Sequence, residues 1–110
     1  MSPKGKHLGE FEQMIVAAVL RLGDEAYGVP ILETIEGLTG RHVRSGALSV
    51  TLDRMERKGL LRSRLGDPSD GRGGRPRCYV EITAAGVEAA AESRNAMLAL
   101  WDGLDGAFGR

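Results

Sequence analysis

Positions 41–77 hold ten Arg and Lys residues against four Asp and Glu, a local charge of +6 in a chain whose formal net charge is zero. Guanidinium and ammonium groups at this density suit phosphate, and a polyanion if the fold spreads them over one face. Residues 1–40 and 78–110 carry −3 each. The positive charge is therefore confined to the middle, which predicts one basic face and a more acidic remainder. Other chemistries lack their residues. His7, His42 and Cys78 are the only soft metal ligands and lie far apart, without zinc-site spacing. Two His residues, both in basic segments, give no Ser–His–Asp set. The glycine cluster GRGGRP is not followed by the helix that a phosphate loop or dinucleotide fingerprint requires. We therefore expect no enzyme, no metal and no cofactor.

The cations need elements to position them. Residues 45–58 read as a helix, SGALSVTLDRMERK, with Leu48, Leu52 and Met55 at i, i+4 and i+7 as its buried face. The opposite face begins with small residues, Ser45, Gly46, Ser49 and Val50, and carries Arg54 and Arg57 later. Small side chains let a backbone approach base edges in a DNA major groove, and the later cations reach phosphates. Thr51 turns partly to the core, and Asp53 would repel phosphate unless Arg57, four residues on, pairs with it. Ser45 is expected to cap the helix, whose free N–H groups would also suit a phosphate. An ordinary solvated amphipathic helix would share much of this pattern, so the following segment decides.

Leu61–Leu65 alternates apolar and polar, as do residues 78–82, where Cys78, Val80 and Ile82 are expected to face inward. Between them GDPSDGRGGRP has four glycines and two prolines in eleven residues, which excludes helix and central strand. Two strands joined by an arginine-bearing loop make a wing over residues 61–82. Arg72, Arg75 and Arg77 would lie along a backbone or minor groove, and Arg44 before the helix would add to them. Val43 is expected to add a short third strand.

Upstream, Phe11, Met14, Ile15, Ala18, Val19 and Leu22 share one arc of a helix over residues 9–22, which Gly23 ends. Pro30 suits the first turn of a second helix that runs to about Leu38, with Ile31, Ile35 and Leu38 on one face. Tyr27 is expected to pack at the intervening turn. Lys4 and Lys6, on a short arm, could touch DNA backbone. Thr83 caps a last helix expected to run from Ala84 to about Phe108. Its stripe Met97, Trp101, Leu104, Phe108 repeats at 4, 3 and 4, and a two-fold partner is the natural cover.

The runs LGEFEQMIVAAVLRLGDEAYGVPI, SGALSVTLDRMERKGLLRSRLG, GGRPRCYVEIT and the A-A-G at positions 84–86 resemble the PadR family of bacterial winged-helix transcriptional regulators. The family pattern often carries an aromatic, typically Tyr, where this chain has Ser49. The resemblance implies a dimeric DNA-binding repressor with the third helix in the major groove, and leaves room for a small-molecule effector of unknown identity.

The expected fold is thus mainly α. It is a winged helix-turn-helix of three helices and a two- to three-stranded wing over residues 1–83, with a dimerisation helix over 84–110. A palindromic operator in double-stranded DNA is the expected partner. A winged-helix protein-interaction module without DNA contact is the alternative. One cysteine excludes an internal disulfide, no apolar run of membrane-span length occurs, and the first ten residues lack a signal-peptide core. A cytoplasmic location is expected.

Overall fold

The computed structural model describes residues 7–109, so the expectation for Lys4 and Lys6 lies outside the described residues. Four helices and a hairpin follow one another: α1 (Glu10–Leu22), α2 (Gly28–Thr39), α3 (Ser45–Arg57), β1 (Leu61–Leu65), β2 (Cys78–Ile82) and α4 (Ala84–Trp101). The fold is the expected winged helix, with a sheet of two antiparallel strands in the register Leu61↔Ile82 to Leu65↔Cys78.

The apolar periodicity decides which faces meet. Ile15, Val16, Ala18 and Val19 of α1 bury against Ile31 and Ile35 of α2, Leu48 and Met55 of α3, and Val80 of β2. Leu60 and Leu61 plug the base of the hairpin. α4 packs on α1, with its small residues Ala89 and Ser93 buried, and the Ser93 hydroxyl accepts the Leu8 backbone N–H at 2.9 Å. Thr83 caps α4 as expected, accepting the Gly86 N–H at 3.1 Å while its hydroxyl donates to the Gly59 carbonyl at 2.7 Å.

Several expectations need correction, each for a local reason. Arg44, with extended backbone, is the residue before α3, and Ser45 already lies in the first helical turn. The start of α3 therefore has no side-chain cap. Leu38 is 64% exposed, because among the described residues no element covers the last turn of α2. Leu65 is 70% exposed, and Cys78, although it lines the cleft beside Val80, is exposed rather than buried. The register pairs these two at the far end of the hairpin, beyond the reach of the core. Val43 makes no strand. The free edge of β2 is met instead by the turn before α2, where the Ala26 carbonyl accepts the Val80 N–H at 2.9 Å. Finally, α4 stops at Trp101. Gly103 takes a positive φ of 80°, and Asp105–Phe108 form a separate 3-10 turn that brings the Phe108 ring to 5.3 Å from that of Trp101. Leu104 and Phe108 therefore do not continue the helical stripe.

Gly86 lies where α4 crosses the α3–β1 turn. A Cβ there would fall on the Leu60 carbonyl oxygen and 2.7 Å from Ile82 Cγ2. Neither backbone nor packed side chain can yield cheaply, so Gly86→Ala should lower stability by about 1–3 kcal/mol despite its better helix propensity. Urea unfolding of the two proteins measures this; an equal or more stable variant would show that α4 can shift away at no cost.

Candidate nucleic-acid interface

The outer face of α3 is open. Ser45, Gly46, Ala47, Ser49, Val50, Asp53, Arg54 and Arg57 are exposed, Val50 by 63%, while Leu48, Thr51 and Met55 are buried beneath them. Thr51 thus belongs to the core side. No side chain longer than Val stands on the first two turns of this face, so a partner can approach the helix backbone there.

Side-chain ties hold α3 at its C-terminal half. Glu12 of α1 is only 7% exposed, yet it carries a carboxyl group and lies on the same arc as Ile15, Val16 and Val19. One carboxylate oxygen accepts the Gly9 N–H at 3.0 Å. The other faces two cations of α3's end, Lys58 Nζ at 3.6 Å and Arg54 Nε at 3.9 Å. On another face Glu56 accepts the Ser63 hydroxyl at 3.0 Å and its backbone N–H at 3.3 Å, tying α3 to β1. Asp53 pairs with Arg57 at 3.3 Å, the expected i,i+4 pair. α2, α3 and the sheet enclose an open cleft of about 350 Å³, with Val29, Leu52 and Cys78 in its lining.

The wing is shaped by its small residues. Asp67 opens the loop by accepting the Ser69 backbone N–H at 2.9 Å and the Ser69 hydroxyl at 2.8 Å. These two bonds, the backbone one foremost, hold its carboxyl below the ordinary carboxylate value. A depressed carboxylate contributes above the ordinary range, so this turn loosens only as pH falls through the lowered value. Gly73 and Gly74 adopt φ of 62° and 80°, and a Cβ on Gly71 would fall on the Arg75 carbonyl oxygen. The Gly71, Gly73 and Gly74 positions therefore need glycine for the loop to take this path.

The sequence assigned ten residues to DNA, and the structure sorts the cations among them. Among the described residues, Arg44 before α3 and Arg75 in the wing are exposed and pair with no carboxylate. Arg54 leans toward Glu12, and Arg57 toward Asp53. Arg77 is half-buried, with its guanidinium 4.4 Å over the Tyr27 ring. The Arg72 side chain lies outside what the structure describes. Outside the assigned set, Arg41 pairs with Glu10 at 3.0 Å and Arg62 with Glu81 at 3.4 Å. Sequence reasoning missed Glu12. Its signal was a carboxylate on the apolar arc of α1, which burial makes costly without a cationic partner. Among the described residues no three His, Cys, Asp or Glu side chains cluster, and no helix is long and apolar enough to cross a membrane.

Comparison with known proteins agrees with this geometry. The profile of the transcriptional regulator PadR-like family matches residues 16–92. Among solved structures, a PadR-like transcription factor from bacteroid fragilis is 23% identical, with a TM-score of 0.67 over 88% of each chain. A PadR family transcriptional regulator from Eggerthella lenta DSM 2243 is 25% identical, with a TM-score of 0.61 over 87% of this chain and 84% of that one. A PadR family transcription regulator from Clostridium difficile R20291 is 20% identical, with a TM-score of 0.64 over 91% and 99%. No curated protein matches the chain.

If the Glu12 carboxylate holds the end of α3, Glu12→Gln should destabilise the protein by about 1–2 kcal/mol, less than a fully buried pair because both cations remain half in water. The deficit should shrink as salt is added. Urea unfolding at low and high salt checks it, and a variant as stable as the parent would remove Glu12 from the supports of α3.

Proposed function

From the premise that this chain belongs to the PadR-like family of transcriptional regulators, we propose that it is a cytoplasmic, dimeric repressor that reads a palindromic operator. The observation that carries the reading is the open, small-residue start of α3, preceded by the exposed Arg44, with a second exposed cation, Arg75, in the wing. In this reading α3 enters a major groove, where Ser45, Gly46, Ser49 and Val50 meet base edges. Arg44, Arg57, Arg72 and Arg75 meet phosphates there or beside the wing. Arg54 adds to the local field while it holds Glu12.

Residues 1–83 supply the reading surface, and residues 84–110 join two copies. Support for the second part comes from α4. Its inner face is taken up by α1, yet Met97, Trp101, Leu104 and Phe108 are each about half exposed or more. Burial of large apolar side chains is worth about 1.5–3 kcal/mol each when complete. An exposed group of four is seldom left to water in a monomer. A partner's α1 or α4 is the proposed cover, which sets two α3 helices to read half-sites one helical turn or a multiple of it apart. The folded pair of Trp101 and Phe108 rings would then border the interface, where a small-molecule effector could act.

A gel shift against the protein's own upstream region tests binding, and Arg75→Ala tests the wing's part in it. Loss of one phosphate contact should weaken binding to all sequences alike and flatten the plot of log affinity against log salt by about 0.9. An unchanged slope would take Arg75 off the backbone. Failure to shift any DNA would favour a protein-interaction module.

Assembly is tested by sedimentation of the full chain and of one ending at Ala96. We expect a dimer and a monomer respectively, with operator affinity lost along with the dimer because the half-sites no longer bind as one unit. A full-length monomer at tens of micromolar, the range in which a stable interface of this kind should persist, would overturn the proposed role of α4.

A further inference from the structure

The far half of the hairpin has no core under it, since Leu65 and Cys78 are both exposed. A bare two-stranded hairpin is marginal in water. Something else must fix the direction in which the wing extends, and four side chains, three of them at the loop end of the hairpin, are arranged to do so. Tyr79 of β2 and Tyr27 of the turn before α2 meet edge to face, their ring centroids 5.4 Å apart and their planes at 70°. The Arg77 guanidinium lies 4.4 Å over the Tyr27 ring, and one of its nitrogens donates to the Tyr79 hydroxyl at 3.5 Å. From the opposite strand, Arg64 lies 4.6 Å from the centre of the Tyr79 ring. Arg64 and Tyr79 are directly paired in the sheet.

Two backbone features fit the stack to this place. Gly66 donates its N–H to the Arg77 carbonyl at 2.8 Å, closing the last rung before the loop, and a Cβ on Gly66 would come within 2.6 Å of the Tyr79 ring. The bond from Val80 to Ala26 lies next to it, so the rings continue an attachment that the backbone begins. A planar guanidinium suits such a stack better than an ammonium, because it lies flat on a ring while keeping its edge donors for a hydroxyl.

We propose that Tyr27, Tyr79, Arg64 and Arg77 form a stack that positions the wing, and that Arg77 acts through Tyr27 rather than by meeting phosphate. The loop over residues 66–76, with Arg75, is thereby presented in one direction before any partner arrives. A wing without the stack must be ordered on binding and loses affinity by that entropy. The effect on DNA rests on the function proposed above; the effect on the wing does not.

The two parts are read separately in the full-length protein. A nitroxide on Ser69→Cys, in a Cys78→Ser background, reports wing motion by its electron spin resonance spectrum without DNA. Tyr27→Leu and Arg77→Ala should each sharpen that spectrum, whereas Tyr27→Phe, which keeps the ring, should not. With DNA, each of the first two should weaken binding about 5- to 30-fold. The double variant should be no weaker than either one, since both remove the same stack. Should Tyr27→Leu unfold, Arg77→Ala carries the spectroscopic test alone, because it alters no core side chain. An unchanged spectrum in Arg77→Ala overturns the proposal, as do losses that add in the double variant, which would make Arg77 an independent phosphate contact. If the labelled parent binds no DNA while the spectra respond as expected, the proposed function fails and the stack stands.

Discussion

A carboxylate beneath the third helix constrains much of this molecule. Glu12 sits among the apolar residues of α1, where ionisation without partners would be costly, and it faces Arg54 and Lys58 across the gap to α3. The same group accepts the Gly9 N–H and so fixes the start of α1. Through one side chain, the entry of the first helix and the exit of the third are set relative to each other. Leu48 and Met55 supply the burial energy of α3, but apolar contact is non-directional and permits rotation and sliding. The charged contacts at Glu12 and the bonds from Ser63 to Glu56 supply direction at the same end. The N-terminal turns of α3 rest on the core through Leu48 and Thr51 and turn their small residues outward.

This division also sorts the charge. A chain neutral overall gathers +6 in its middle third, and most of those cations have carboxylate or aromatic partners. Paired cations still contribute to the field at a distance. A close contact with phosphate must break or share a pair, which offsets part of its gain. Among the described residues of this stretch, the exposed cations without such a pair, Arg44 and Arg75, stand at the start of α3 and in the wing, the two places a winged helix can bring to one duplex. Position along the element matters more here than the number of arginines.

The last helix shows how length and punctuation give one element two different surroundings. Its first half carries Gly86, Ala89 and Ser93 inward, small enough for close approach to α1 and to the Leu60 carbonyl. Its second half turns large apolar groups to solvent, and Gly103 then folds the chain so that Phe108 returns to Trp101. With its far half outside the core, the chain is elongated, 52 × 37 × 21 Å.

The helix positions, the turn before α2, the two strands and the glycine-rich wing were legible in the sequence, because periodicity, Gly23, Pro30 and the residue 66–76 composition act over a few residues. The family resemblance and the open face of α3 were legible for the same reason. Some outcomes depended on neighbours distant in sequence. Alternation marked Cys78 and Leu65 as inward, but the hairpin extends past the core, so the pattern outran the surface that would bury it. Ser45 looked like a cap, yet the extended backbone falls one residue earlier. The heptad spacing at positions 97–108 ignored the turn at Gly103. Arg77 read as one more wing cation, although Tyr27, fifty residues upstream, takes its guanidinium. Sequence by itself determined what each segment could become, since propensity and period are local. Only the tertiary structure decided which charges were already neutralised and which faces were covered, because both depend on which side chains folding brings within a few ångströms.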